Sequence, residues 1–362
     1  MSRRSHSFLQ AIRSCVVEPG LLFGMYLPRR LWLSRILKST ANLKTRGRKI
    51  IVILSSDTEF DPPSGSSTWK NRPTRALLDG LPRFLEVCDL YGGLATFFCE
   101  GKLVQDLPDL FRDLARGHEI GCHSFAHEWL GTQPPPQMIH SREEHPVLTL
   151  NEKARVLRQA TESIESVVGR KPKSFRAPFA SLDHPSTLFL LQQIGFDADS
   201  SLTSRNRNGG WLFNSSLAAS FPRHASERDL WCEGEMHLVE VPITISPLPL
   251  FLNSFHKEVL METVFRGIKL ALESVDIQCR IDSLLGRDLS VVHINSHPWE
   301  FSEIKRVHFS EIVPWGGQGK ANADRLSRFL SELSALYDVK FLTVGGFVRM
   351  WESNYCRLHS GH

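Results

Sequence analysis

No stretch of this 362-residue sequence approaches the roughly 18 uninterrupted apolar residues of a membrane-spanning helix, since GLLFGMYL (20–27) runs straight into Pro28-Arg29-Arg30. The seven cysteines (15, 88, 99, 122, 232, 279, 356) form no CxxC and follow no regular spacing. That excludes a cysteine zinc cluster and argues against a disulfide framework, so they read as free thiols of a reducing compartment and point to the cytoplasm. No repeat with a period of 20–50 residues is visible, which removes solenoids and propellers. A basic groove is also missing. Residues 1–49 hold eleven Lys/Arg against Glu18 alone, a balance of +10 that leaves −6 of the total +4 for residues 50–362. Such a body has no electrostatic reason to bind nucleic acid.

The basic leader, residues 1–48, interleaves Leu21, Leu22, Phe23, Met25, Leu27, Leu31, Trp32, Leu33, Ile36 and Leu37 with Arg29, Arg30, Arg35 and Lys38. The favoured reading packs these apolar residues on the following domain. The alternative is peripheral contact of residues 20–38 with an anionic membrane surface. Basic residues follow the short apolar run and no small-residue cleavage site does, so a signal peptide is not expected.

From residue 49 onward, short β-rich runs alternate with helical periodicity. KIIVILSS (49–56), LATFF (94–98), HEIGC (118–122), KSFRA (173–177), FDAD (196–199), LVEVPITI (238–245), LSVVHINS (289–296) and VKFLTV (339–344) read as extended segments. Helices are predicted over 74–91, 102–116, about 154–168, 185–194, 256–286, 322–337 and at the C-terminal end. Repeated βα units imply a mainly parallel sheet, and about seven strands favour an α/β barrel, a distorted (β/α)7 form, over an open doubly wound sheet. One catalytic domain over 49–355 and a tail at 356–362 complete the organisation. In either fold, reactive residues stand just past the carboxyl ends of strands.

Four clusters occupy such places: SSDTEFD (55–61), HSFAHE (123–128), FRAPF (175–179) and SHPWEF (296–301). Asp57, Glu59 and Asp61 alternate after a strand and so project to one side, where one acid can bind a cation while another acts as base; the alternative is a solvated turn. His123 and His127 are four apart, a spacing that puts both rings on one face of a helical turn to share a metal; two structural histidines are the alternative. Ser124 stands where the HExxH proteases need Glu, which disfavours a peptidase. Arg176 ends a strand before Ala177-Pro178-Phe179 and could clamp a carboxylate, or be a surface arginine. His297 should emerge at a barrel mouth, whereas His293 reads as a core histidine.

In order along the chain, LATFF, HEIGCHSFAHE, RAPF, FDADSSL, EVP and HPWE resemble the motifs of the polysaccharide deacetylases, the NodB homology family, across about residues 51–352. The resemblance implies a metal-dependent amide hydrolase acting on an N-acetylated glycan. Asp57 would be the base and Arg176 its partner. Glu59, with Asp61 as fallback, would join His123 and His127 around one divalent metal. Zinc is the default for such ligands, with manganese, cobalt or nickel as alternatives. Phe179 would offer its backbone N–H to the oxyanion, and His297 would be the acid, kept protonated by Asp199. Trp211 would wall the groove. The sequence departs from the family pattern in three places: D-T-E replaces an adjacent Asp pair, Phe179 replaces Tyr, and Asn295 replaces Leu two residues before the final His, making the acyl pocket more polar. Two rivals remain: a small or cyclic amide hydrolase of the same fold, for which loops 131–147 and 203–235 could supply lids, and a non-catalytic carbohydrate-binding descendant.

Overall fold

The computed structural model describes residues 43–61, 72–132, 145–202, 221–228, 233–246, 260–304 and 318–359. Strand β1 (Lys49–Thr58) is buried at every position after Lys49, as the unbroken apolar run KIIVILSS requires of a strand covered on both faces. It is followed by α1 (Arg75–Leu90), β2 (Thr96–Cys99), α2 (Gly101–Asp106), α3 (Pro108–Gly117), β3 (Glu119–Cys122), α4 (Leu150–Val168), β4 (Ser174–Phe175), α5 (Ser186–Ile194) and β5 (Ala198–Asp199). Then come β6 (Arg223–His224), β7 (Val239–Glu240), α6 (Leu260–Arg266), α7 (Ile268–Leu284), β8 (Leu289–Ser296), α8 (Gly319–Leu336), β9 (Asp338–Leu342) and α9 (Val344–His359).

Hydrogen-bonded neighbours run β6-β7-β5-β4-β3-β2-β1-β8, with β9 beside the first half of β1. Every pairing is parallel except β6 with β7. The sheet curls until the residues after β7 meet β8: Thr244 N–H donates to the His293 carbonyl at 2.9 Å and His293 N–H to Thr244 Oγ1 at 2.8 Å. Seven strands thus form the ring of a distorted barrel, its last joint made of two bonds instead of a ladder. The short antiparallel β6 was not foreseen.

Alternation along β1 separates two cores. Ile50, Val52 and Leu54 face outward into the large cluster beneath the helices. Ile51 and Ile53 face inward with Phe98, Ala198, Val239, Val241 and Val291, and Val344, Phe347 and Val348 of α9 pack in this same inner cluster. The same parity carries Ser55 and Asp57 inward, toward the mouth.

Several helix boundaries have local causes. α4 opens with a capping box between Thr149 and Glu152 and closes at Gly169, whose φ of 76° suits glycine. The single helix expected over 102–116 divides at Leu107, because Pro108 lacks an N–H and drives the preceding residue out of helical geometry. The helix expected over 256–286 is broken at Gly267, its residues 256–259 lying outside the described ones. Gly80 in α1 lets the turn after β8 approach, since a Cβ there would fall 1.8 Å from the Pro298 carbonyl oxygen.

Residues just before the expected boundary at 48 pack on the elements that follow. Thr45 is buried and donates to Asp276, Gly47 N–H bonds the Leu336 carbonyl at 2.9 Å, and Arg48 reaches Ser290, Ser283 and the Arg287 carbonyl. The tail expected from 356 likewise begins inside α9, which runs to His359. The proposed membrane-contact segment 20–38 and Trp211 lie outside the described residues, as do 133–144 of the Pro-rich loop and 203–220 of the second long segment. No helix among the described residues is long and apolar enough to cross a membrane.

Candidate active site

Above the apolar layer of the barrel lies a polar one, built around Arg176, whose side chain is 1% exposed. Its guanidinium stacks over the Phe98 ring at 4.1 Å and finds acceptors all round. Nε donates to the Ser200 carbonyl (2.9 Å), and Nη2 to Ser200 Oγ (2.8 Å) and His293 Nε2 (3.1 Å). Nη1 donates to Asp57 Oδ1 (2.7 Å), Ser55 Oγ (3.0 Å) and Asn295 Oδ1. A buried cation with every donor satisfied and one carboxylate partner is an anchored charge. The parity of β1 and β8 supplies four of these partners, for Ile53 pairs with His293 and Ser55 with Asn295 in the ladder.

Asp57 also accepts from Asn295 Nδ2 through Oδ2 at 3.0 Å. Burial works to raise its pKa, but Arg176, His123 and His297 outweigh burial and hold the carboxyl below its usual range. Asp57 is therefore a carboxylate at neutral pH.

Glu59, His123 and His127 are all buried, and their ligand atoms lie within 4.8 Å of one another. His123 Nδ1 bonds the Arg176 carbonyl at 2.8 Å, which assigns its proton to Nδ1 and leaves the Nε2 lone pair for a ligand. Burial, opposed by Asp57, lowers the His123 pKa to about 4, so the ring is neutral. Glu59 is held ionised well below the carboxylate range: burial raises its pKa, and His127, His297 and Arg72 overcome that. Its Oε2 is buried, 2.6 Å from His127 Nε2. Two lone-pair atoms this close require a proton or a cation with them. Two imidazoles and a carboxylate so placed fit a divalent metal.

The four-residue spacing of the histidines does not work through a helical turn, as the sequence suggested. Residues 123–128 form a tight loop in which Ser124 (φ 60°) and His127 (φ 63°) are left-handed. Glu128 pins it, accepting from the Phe125 and Ala126 N–H groups at 3.0 and 2.9 Å. The loop brings the two rings to 5.3 Å between centroids. Phe179 (φ 57°) and Ala180 (φ 51°) are the remaining left-handed non-glycine residues among the described ones, and the Phe179 ring packs 4.4 Å from that of His127. Such backbone costs about 1–3 kcal/mol per residue and persists where surroundings enforce it.

Asp61, the fallback ligand, is occupied elsewhere: its two oxygens accept from the Ala76 and Leu77 N–H groups at 2.7 and 2.8 Å and so cap α1. Asp199 is not beside His297, as expected. It is buried on the side of β5 opposite to the inward Ala198 and Ser200, accepting from Ser201 Oγ at 2.5 Å and aligned with Glu240 on β7, and burial of the two carboxyls together raises both pKa values. Among the described residues, the carboxylates around His297 are Glu59 Oε1 (3.7 Å), Asp57 Oδ2 (3.8 Å) and Glu300 Oε1 (3.9 Å). Burial lowers the His297 pKa, but Glu300, Asp57 and Glu59 lift it to about 9. The ring stacks on Trp299 at 4.3 Å.

Sequence reasoning passed over Ser55, Ser200, Glu300, Arg72, Glu100 and His145. Arg72 donates to both oxygens of fully buried Glu100 at 2.6 Å and lies 3.6 Å from Glu59 Oε2, while His145 packs on Phe179 at 5.1 Å. Only Ser55 and Glu300 carried a signal, the inward parity of β1 and the three-residue step from His297.

Residues 66–198 match the family model Polysaccharide deacetylase. Over this segment the chain is similar to polysaccharide deacetylases. It is 25% identical over 262 residues to the peptidoglycan deacetylase of Helicobacter pylori, covering 65% of this chain and 82% of that protein. Identity to the peptidoglycan deacetylase-like protein FGM2 of Gibberella zeae is 25% over 213 residues, 54% of this chain and 57% of the other. Among solved structures, a Mycobacterium smegmatis protein assigned as a polysaccharide deacetylase aligns with a TM-score of 0.54 at 20% identity, over 85% of this chain and 92% of that one. Puue allantoinase aligns at 0.53 with 14% identity, over 87% and 93%. These structural likenesses show a shared fold, and they do not separate the two activities.

Proposed function

We propose that this protein is a metal-dependent hydrolase that removes the acetyl group from an N-acetylated sugar of a glycan such as peptidoglycan. The observation that carries the reading is the joining, at one barrel mouth, of a three-ligand cluster with an ionised Asp57 and a protonatable His297. Glu59, His123 and His127 would hold the divalent ion, zinc by default. Bound there, it supplies Lewis acidity that polarises the acyl carbonyl and acidifies water.

The chain's own groups do the rest. Asp57, fixed by Arg176, takes a proton from the attacking water as the new C–O bond forms at the carbonyl carbon. The Phe179 N–H is assigned to the developing oxyanion, and removal of one such donor costs on the order of 100-fold. His297, which carries its proton near pH 7, gives it to the nitrogen as the C–N bond breaks. The products are acetate and a free amine. Asp57 and His297 divide the base and acid roles because their surroundings push their pKa values apart.

The test is metal content per chain in the wild type and in Glu59→Ala and His123→Ala/His127→Ala, with acetate release from N-acetylglucosamine oligomers measured on the same samples. About one metal per chain, lost in the variants, together with acetate release supports the proposal. Absence of metal after reconstitution overturns it in favour of a binding protein. Metal without acetate, but with turnover of a cyclic amide, redirects it to the small-amide reading.

A further inference from the structure

Resting on that functional reading, we infer that Asn295 is a positioning residue for Asp57. It closes a three-membered ring of hydrogen bonds with Arg176 that locks the base carboxylate in rotation. In this ring Arg176 Nη1 donates to Asp57 Oδ1 at 2.7 Å, Asn295 Nδ2 donates to Asp57 Oδ2 at 3.0 Å, and Arg176 Nη1 donates to Asn295 Oδ1.

The amide can be oriented in one way only. Its oxygen faces two donors, Arg176 Nη1 and Ser55 Oγ (3.0 Å), and its nitrogen faces a carboxylate. A flip would turn the NH2 group onto a guanidinium and the oxygen onto an anion. Asn295 is itself seated: its strand pairs with β1 over eight residues, with Ser55 directly opposite.

The consequence concerns geometry. With Arg176 alone, a carboxylate held through one oxygen can still swing about its Cβ–Cγ bond. The second contact, to the other oxygen, removes that freedom, and Oδ2 is the oxygen that stands 3.8 Å from His297 Nε2. A base held to one rotation retains its aim at water between turnovers, and loss of such aim costs up to about 100-fold. Asn295 does this without adding charge, so Arg176 and Asp57 remain a neutralised pair.

The experiment has a kinetic arm and an arm independent of turnover. Asn295→Leu keeps the approximate volume and loses both polar atoms, and Asn295→Asp keeps the shape and an acceptor for Arg176 but lacks the donor. In both, kcat is expected to fall about 10- to 100-fold with KM within about twofold. In the wild type, NMR exchange of the Asn295 side-chain amide protons is expected to be at least about 10-fold slower for one proton than in free asparagine amide, because that proton is held by a half-buried hydrogen bond to a carboxylate. Asn295→Leu with wild-type kcat, or an unprotected amide in a protein that turns over substrate, overturns the positioning role alone. Protection in a protein that hydrolyses no amide overturns the functional reading, and the positioning role with it.

Discussion

Replacing Arg176 with methionine removes the cation from the centre of the polar layer while keeping an unbranched side chain over Phe98. Breaking a buried ion pair by deleting one partner costs about 3–5 kcal/mol, because the other charge is left uncompensated. The lower end applies here, since His297 remains 3.8 Å from Asp57 Oδ2 and Asn295 still donates to it. About 3 kcal/mol is a large share of the roughly 5–15 kcal/mol of a folded domain. The pH dependence carries the sharper signature. In the wild type the Asp57 pKa lies below its unfolded value of 3.8, so its stabilisation is complete above that pH and is lost only as pH falls through the folded value. Without Arg176 burial becomes the dominant influence and lifts the folded pKa above 3.8. The folded variant then binds a proton that the unfolded chain releases, and its stability rises as pH falls toward 3.8, by up to about 1.4 kcal/mol per pH unit. Urea denaturation at pH 7 and pH 5 in the presence of chelator reads both effects. The deficit of the variant should be near 3 kcal/mol at pH 7 and smaller at pH 5. A deficit under 1 kcal/mol, or one that does not change with pH, refutes the account of Asp57 as a buried charge stabilised by Arg176.

Three further perturbations test other parts of the site. Glu300→Gln removes the carboxylate that does most to offset burial at His297, so the imidazole pKa falls from about 9 and the alkaline limb of kcat/KM moves to lower pH; an unmoved limb would exclude His297 as the acid. Gly80→Ala drives a Cβ to 1.8 Å from the Pro298 carbonyl oxygen, which should push the turn bearing His297 outward, with a loss above about 2 kcal/mol in thermal or urea unfolding and a fall in kcat. Addition of zinc to chelated protein should raise the unfolding midpoint, by about 4 kcal/mol of stability at a thousandfold excess over Kd, and the gain should vanish in Glu59→Ala.

The alternation of βα units was legible because strands buried on both faces read as apolar runs; β1 and β8 match the sequence segments closely. Short strands were not. β4, β5 and β7 have two residues each, held by ladder neighbours and not by any local pattern. At the site, the residues at strand ends were found and their mutual assignment was partly wrong. Asp199 lies at the end of β5, yet its neighbour is fixed by register with Glu240, information that no single strand contains. Spacing alone did not separate Glu59 from its fallback Asp61, which the start of α1 claims. The left-handed loop through His123 and His127 was invisible because a four-residue step fits a helix equally well, and none of its left-handed residues is glycine.

The placement of strain bears on the functional reading. All four left-handed non-glycine residues among the described ones fall in two loops, 123–128 and 178–180, which follow β3 and β4 and meet where the Phe179 ring packs on His127. Strained backbone of this kind clusters at active sites and ligand clamps, and here it stands beside a buried ligand cluster, a low-pKa carboxylate and a raised-pKa imidazole. Strain, divergent pKa values and a shared mouth are separate observations with separate causes: backbone geometry, charge placement and strand parity. Their coincidence at Asp57, Glu59, His123, His127 and His297 supports the proposed transfer of protons around a cation over a non-catalytic descendant.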